Sequence, residues 1–294
     1  METVTVNDIA TRTYVRRSTQ QHDTAIVVVP GNPGFVDFYI EFIDKLFDRL
    51  GGVFSVYGVG HAGHGCPGQN GKRIFTLDNQ IQHKRDFIVQ NVLKEKHSKI
   101  IIISHSVGSY ISLKVLQRYK DINIVQLINL FPTVRNLNVG IRFPVNVVML
   151  PILRQASSGL VHYIPQWLLE KIFKAIPATQ IKGVRDTVND NRDYHCVLNA
   201  LSMAYEEYNH IGELDEEITQ AITAHLDKIY FLYGPKDHYA PEAYYNDMIE
   251  SFPEAKAHLA DESILHAFVI HHSSQVVDRI AEWFDHHKPL CADQ

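Results

Sequence analysis

Short uninterrupted apolar runs alternate along this chain with stretches in which apolar residues recur every three or four positions. The plainest run is Ile100-Ile101-Ile102-Ile103, and Ala25 to Val29 and Ile229 to Tyr233 repeat its character. Runs apolar at every position read as strands buried on both faces, which is the habit of parallel sheets. The pattern predicts strands at about 3–6, 12–17, 25–30, 53–59, 99–104, 123–130 and 228–233, with a short one at 255–259. Helical spacing predicts helices over about 77–97, after residue 106 (Ile111, Val115, Leu116), over 241–251, and near the end on Val276, Val277, Ile280, Trp283 and Phe284. A long interval, about 132–225, separates two of the strands and reads as an inserted helical cap. Strands alternating with helices predict an α/β class: one domain over 1–294 with a mostly parallel sheet flanked by helices.

Chemistry enters where the isoleucine run stops. Ser104-His105-Ser106-Val107-Gly108 follows the strand and opens a helix. Strand, sharp turn and helix with a serine at the tip form a nucleophile elbow, so Ser106 is the candidate nucleophile and acyl transfer the candidate reaction. The first position of the G-x-S-x-G pattern is Ser104, small enough for the tight turn. In the plainer reading, Ser106 only caps the helix.

A serine nucleophile needs a base and an acid that orients it, and on such sheets they follow in the order Ser, acid, His. Asp237 lies in the turn after the strand at 228–233, and His266 follows the last short strand. Asp261 is the competing acid. Among the 17 histidines, His105 points away from its neighbour across a sharp turn, and His238 projects away from Asp237. His271, His272, His286 and His287 lie on or beside the terminal helix, where solvated positions are expected. His61 and His64 lack further ligands at zinc spacing, so no metal and no cofactor are expected. An oxyanion hole needs two aimed backbone N–H groups. Val107 supplies one; in the Pro30-Gly31-Asn32-Pro33-Gly34 loop Pro33 has none to offer, so Asn32 is the second candidate. The bland reading of that loop is a tight turn.

Composition narrows the classes. The 294 residues are 45% hydrophobic, enough for a large core, and a net charge of −5 without a basic run gives no case for nucleic acid. Cys66, Cys196 and Cys291 make no disulfide framework and suit a reducing compartment. The alternating start, Thr3 to Val6, reads as a strand instead of a signal peptide, and no uncharged apolar run reaches 18 residues.

The cap carries a second pattern. Residues 139–183 hold two apolar patches broken by prolines, one from Phe143 to Leu153 and one from Leu160 to Phe173. Five cations (Arg142, Arg154, Lys171, Lys174, Lys182) face the single acid Glu170, a local charge of +4 in a chain of −5. Apolar pieces flanked by cations, with amphipathic Tyr163 and Trp167, suit insertion into a lipid monolayer, with Val148, Leu150 and Trp167 as candidate contacts. An ordinary cap whose apolar faces pack on the sheet domain is the alternative.

Val29 to Tyr39 (Val-Pro-Gly-Asn-Pro-Gly-Phe-Val-Asp-Phe-Tyr), His61 to Gly65, Ser104 to Tyr110, Gly234 to Pro241 and Leu265 to Phe268 together resemble the lipid droplet-associated hydrolase family of the α/β-hydrolase superfamily. Ser104 departs from the glycine usual there. The resemblance implies hydrolysis of sterol and related lipid esters, and residence at lipid droplets and the endoplasmic reticulum. Combined with the residues, it points to a serine ester hydrolase of sterol esters or acylglycerols at the cytosolic face of those surfaces. Its partners would be the lipid ester and the droplet monolayer or reticulum membrane. A droplet protein that keeps the fold without depending on hydrolysis is the rival from another class. A soluble esterase or peptidase whose cap simply packs is a third.

Overall fold

In the computed structural model, which describes residues 1–140, 145–176 and 181–285, the isoleucine run lies within an eight-stranded sheet. The strands are β1 (Glu2–Val6), β2 (Ile9–Arg16), β3 (Thr24–Val29), β4 (Ser55–Val59), β5 (Lys99–His105), β6 (Ile124–Leu130), β7 (Ile229–Tyr233) and β8 (Lys256–Leu259). Their spatial order is β1-β2-β4-β3-β5-β6-β7-β8. The β1–β2 and β2–β4 pairs are antiparallel, and the remaining pairs are parallel.

The run of four isoleucines divides between two cores. Ile100 and Ile102 join Val27, Val29 and Leu127 on one face, while Ile101 and Ile103 join Ile26, Val28 and Ile128 on the other. Side chains in a strand alternate faces, so a strand covered on both sides is apolar throughout. Each fully buried isoleucine contributes roughly 1.5–3 kcal/mol of hydrophobic free energy.

Helices cover both faces. Before β6 lie α1 (Ile40–Arg49), α2 (Leu77–Phe87) and α3 (Val107–Arg118). Between β6 and β7 come α4 (Leu137–Gly140), α5 (Val145–Val148), α6 (Pro151–Tyr163), α7 (Gln166–Ala175), α8 (Lys182–Asn191), α9 (Tyr194–His210) and α10 (Glu216–Ala224). After β7 come α11 (Glu242–Ser251), α12 (Phe268–His271) and α13 (Ser273–Asp285). Phe42, Ile43 and Leu46 of α1 meet Val276, Val277, Ile280 and Trp283 of α13 on one face, and α3 packs on the other.

The helix expected over 77–97 is more broken than its spacing predicts. It starts at a Thr76–Asn79 capping box, passes through a π-helical turn at Ile88–Val92, and tightens to 3-10 geometry at Leu93–Glu95. Lys96, at φ +68°, then turns the chain toward β5. The β6–β7 insertion is tied to α3 by charge: Lys114 Nζ donates to Asp215 Oδ1 (3.0 Å) and Glu217 Oε2 (2.7 Å). Asp215 also caps α10 by accepting from the Ile218 amide (2.8 Å). Arg142, Phe143, Pro144, His286, His287 and Cys291 lie outside the described residues.

Candidate active site

Ser106 sits between β5 and α3 with φ +53° and ψ −126°. A non-glycine residue held there costs about 1–3 kcal/mol, so its surroundings must enforce it. They do so through backbone bonds. The Ser106 amide donates to Leu130 O (3.0 Å), and Ser106 O accepts from Ser109 N (2.9 Å) and Thr133 N (3.3 Å). Gly108 lets the elbow close, because a Cβ there would stand 2.6 Å from the carbonyl oxygens of both Val29 and Pro30. Ser104, in the position where glycine is usual, is fully buried and donates from Oγ to Asn129 Oδ1 (2.9 Å), while Asn129 Nδ2 donates to Tyr230 O (3.2 Å). The extra side chain is thus held in a polar link between β5, β6 and β7.

The fold brings Asp237 and His266 to this serine. His266 Nε2 lies 3.0 Å from Ser106 Oγ, and His266 Nδ1 lies 2.6 Å from Asp237 Oδ2. A carboxylate only accepts, so Nδ1–H donates to Asp237 and the Nε2 lone pair faces the hydroxyl. Asp237 is fixed in turn, its Oδ1 accepting from the amides of Tyr239 (2.7 Å) and Ala240 (3.2 Å). Asp261, the competing acid, shapes the turn before His266. It accepts from Ser263 N (2.9 Å) and Ser263 Oγ (2.6 Å), bonds that hold its carboxyl below the usual carboxylate range. His238 and His271 are exposed and His272 is half-buried; His105 is turned away from Ser106 Oγ, its ring nitrogens bonded elsewhere.

The loop expected to face the oxyanion packs against the elbow. A Cβ on Gly31 would stand 2.8 Å from Ser106 Cβ, so only glycine allows this approach. The Gly31 amide is used, donating to Tyr39 Oη (2.8 Å). The side chain of Asn32 donates to Ala200 O (3.0 Å) and to Glu207 Oε1 (2.9 Å), both on α9. Burial pushes the Glu207 carboxyl up to about 8 against the opposing pull of the Asn32 hydrogen bond. Val107 opens α3, where first-turn N–H groups have no acceptor within the helix.

His61 and His64 brace the same loop. The His61 amide donates to Gly34 O (3.1 Å), and His64 Nδ1 donates to Pro33 O. Burial holds His61 well below its usual range and His64 at about 4. Among the described residues, no three His, Cys, Asp or Glu side chains are grouped to hold a metal ion.

The candidate lipid contacts lie on the β6–β7 insertion. Leu150 and Trp167 are exposed (43% and 63%), whereas Val148 is half-buried. Ile152, Leu160 and Tyr163 extend the exposed apolar set at 83%, 70% and 80%, while Met149, Leu169 and Phe173 face inward. Lys171 Nζ lies 5.1 Å from the centre of the Trp167 ring. Among the described residues, no helix is long and apolar enough to cross a membrane.

Asn129, Tyr39 and Glu207 were not among the residues the pattern singled out for the site. Asn129 left a trace, as one of two amides, with Gln126, in an otherwise apolar strand, and Tyr39 closes the distinctive Val29–Tyr39 segment. Glu207 left none, because a glutamate in a helix is ordinarily solvated.

The sheet, its two helical layers and the elbow at Ser106 define an α/β-hydrolase fold. Solved structures agree on that fold: a carboxylesterase of Nitrososphaera gargenis superposes with a TM-score of 0.68 at 14% identity over 100% of both chains. The enol-lactonase of Burkholderia xenovorans gives 0.67 at 13% identity, covering 97% of this chain and 100% of its own. The chain belongs to the lipid-droplet associated hydrolase family, whose model matches residues 22–269. A relative of that name from Dictyostelium discoideum is 36% identical over 284 residues, covering 93% of this chain and 92% of the relative. The human relative is 29% identical over 289 residues, covering 90% and 86%.

Proposed function

We propose that this protein is a serine esterase that hydrolyses lipid esters, either sterol esters or acylglycerols, at the surface of lipid droplets. The observation that carries the reading is the hydrogen-bonded series Ser106 Oγ, His266 and Asp237, at 3.0 and 2.6 Å. Ser106 Oγ attacks the ester carbonyl while its proton passes to His266 Nε2. Asp237 keeps the imidazole in the required tautomer and stabilises the imidazolium. Collapse of the tetrahedral intermediate breaks the C–O bond to the alcohol, which takes the proton from Nε2 and leaves an acyl-serine. Water, deprotonated by the same nitrogen, then attacks the acyl carbon. Collapse breaks its bond to Ser106 Oγ, which takes the proton back from Nε2 as the fatty acid is released. The amides of Val107 and Asn32 stabilise the oxyanion, each worth roughly 10²–10³-fold in rate. No metal or cofactor takes part in this scheme.

On this reading residues 1–294 form one hydrolase domain, with 132–225 as a cap over the site. The exposed apolar set on α6 and α7, beside Lys171, supports contact with a droplet monolayer or the cytosolic face of the endoplasmic reticulum. The family relationship supports the droplet in particular. Labelling with a fluorophosphonate probe tests the chemistry. Wild type should label and hydrolyse a sterol or acylglycerol ester, and Ser106→Ala should do neither. Turnover in Ser106→Ala within a few-fold of wild type would overturn the assignment, since loss of such a serine costs about 10⁶-fold in a comparable enzyme.

A further inference from the structure

His105 joins three loops of the site although its ring takes no part in the chemistry proposed above. Its Nδ1 lies 2.6 Å from Tyr39 Oη, and its Nε2 lies 2.9 Å from the backbone oxygen of His266. Tyr39 Oη in turn lies 2.8 Å from the Gly31 amide. Tyr39 and His105 are both buried.

The direction of every proton in this series follows from its two ends. The Gly31 N–H can only donate, so Tyr39 Oη accepts there. The His266 carbonyl can only accept, so His105 Nε2 must carry a proton and donate. A neutral imidazole protonated at Nε2 leaves Nδ1 as an acceptor, and the Tyr39 hydroxyl donates to it. Burial, and then the neighbouring His266 ring 5.0 Å away, hold His105 well below the usual histidine range and so keep it neutral. Burial also keeps the Tyr39 phenol protonated. Tyr39 and His105, the two inner members, each donate once and accept once, with no proton left over.

We propose that Tyr39 and His105 are positioning residues. They lock the loop bearing Gly31 and Asn32, the elbow bearing Ser106, and the backbone of His266 into one register. The proposal rests on the reading of Ser106 and His266 as nucleophile and base. The three groups of that chemistry come from segments far apart in sequence, and the series Gly31 N–H, Tyr39 O–H, His105, His266 C=O is a hydrogen-bonded path across them. Loosening it would shift the oxyanion amide relative to the serine, and a displacement of about 1 Å can cost on the order of 10²-fold in rate.

Two measurements test it. The first is the ring nitrogen–proton correlation spectrum of histidine-labelled wild type, with His105 assigned by its loss in His105→Gln. A neutral ring protonated at Nε2 is expected near neutral pH; a ring protonated at Nδ1, or at both nitrogens, would overturn the proposal. The second is kinetic, with a short soluble ester. Tyr39→Phe should lower kcat by roughly 10–100-fold with KM within about twofold of wild type. His105→Gln, whose side-chain N–H can still reach the His266 carbonyl, should retain more kcat than His105→Leu. Unchanged kcat in a folded Tyr39→Phe, or a change in KM alone, would overturn the positioning role. If Tyr39→Phe does not fold, the wild-type tautomer decides. Ser106→Ala runs in parallel: if it keeps turnover, the esterase reading fails, and if it loses turnover while Tyr39→Phe is unaffected, only the positioning role fails.

Discussion

Asn32 donates its side-chain amide to Glu207 across 2.9 Å, joining the loop that packs against the Ser106 elbow to a buried carboxyl on α9. Glu207 ionises at about 8 in the folded chain, against about 4.5 for an ordinary glutamate. The folded state therefore holds one more proton than the unfolded state between those values, and this group makes stability fall as pH rises through that window.

Glu207→Gln keeps an acceptor for Asn32 and removes the titration. Relative to wild type the variant should gain stability from about pH 5 to about pH 8, on the order of 1 kcal/mol per unit. Urea midpoints at the two pH values check this. A difference between variant and wild type that stays constant across the window would contradict it.

Restoring glycine at the first elbow position should weaken the fold. Ser104→Gly removes the donor to Asn129 Oδ1 inside the sheet. A buried acceptor left unsatisfied costs about 1–3 kcal/mol. The expected result is a lower melting temperature for Ser104→Gly, with Ser104→Ala lowered as well, because both lose the hydroxyl. A melting temperature equal to or above wild type would show that the link to Asn129 contributes nothing.

Asp237→Asn should preserve the fold and remove most turnover. The amide can hold the His266 ring in the wrong tautomer, which costs about 10⁴-fold in kcat in a comparable triad. Steady-state kinetics on a soluble ester, with circular dichroism as a check on folding, give the answer. A loss below tenfold would shift the orienting role to another acid.

Surface contact should separate from chemistry. Leu150→Gln with Trp167→Gln removes two exposed apolar side chains from α6's entry and α7. The pair should reduce flotation with phospholipid-coated oil droplets, while Ser106→Ala floats like wild type. Equal flotation of the double variant would move the contact elsewhere.

The sequence by itself determined the alternation of buried strands and helices, the strand–turn–helix around Ser106, and the later turns carrying Asp237 and His266. These features are local: burial on both faces writes an apolar run, helical burial writes a spacing of three to four, and a tight turn demands small residues. Only the tertiary structure decided that His266 meets Asp237 while Asp261 stays in its own turn, because the choice depends on where separate loops end at the edge of one sheet. It also gave Ser104 a partner in Asn129, brought Glu207 of α9 to the Asn32 side chain, and turned His105 toward Tyr39 and the His266 carbonyl. The spacing along the chain identifies His105 as a neighbour that points away from Ser106. Where it points instead depends on Tyr39, 66 residues away, and on the His266 backbone, 161 residues away. No local pattern encodes such pairings, since hydrogen-bond partners this distant are selected by the packing of the whole sheet.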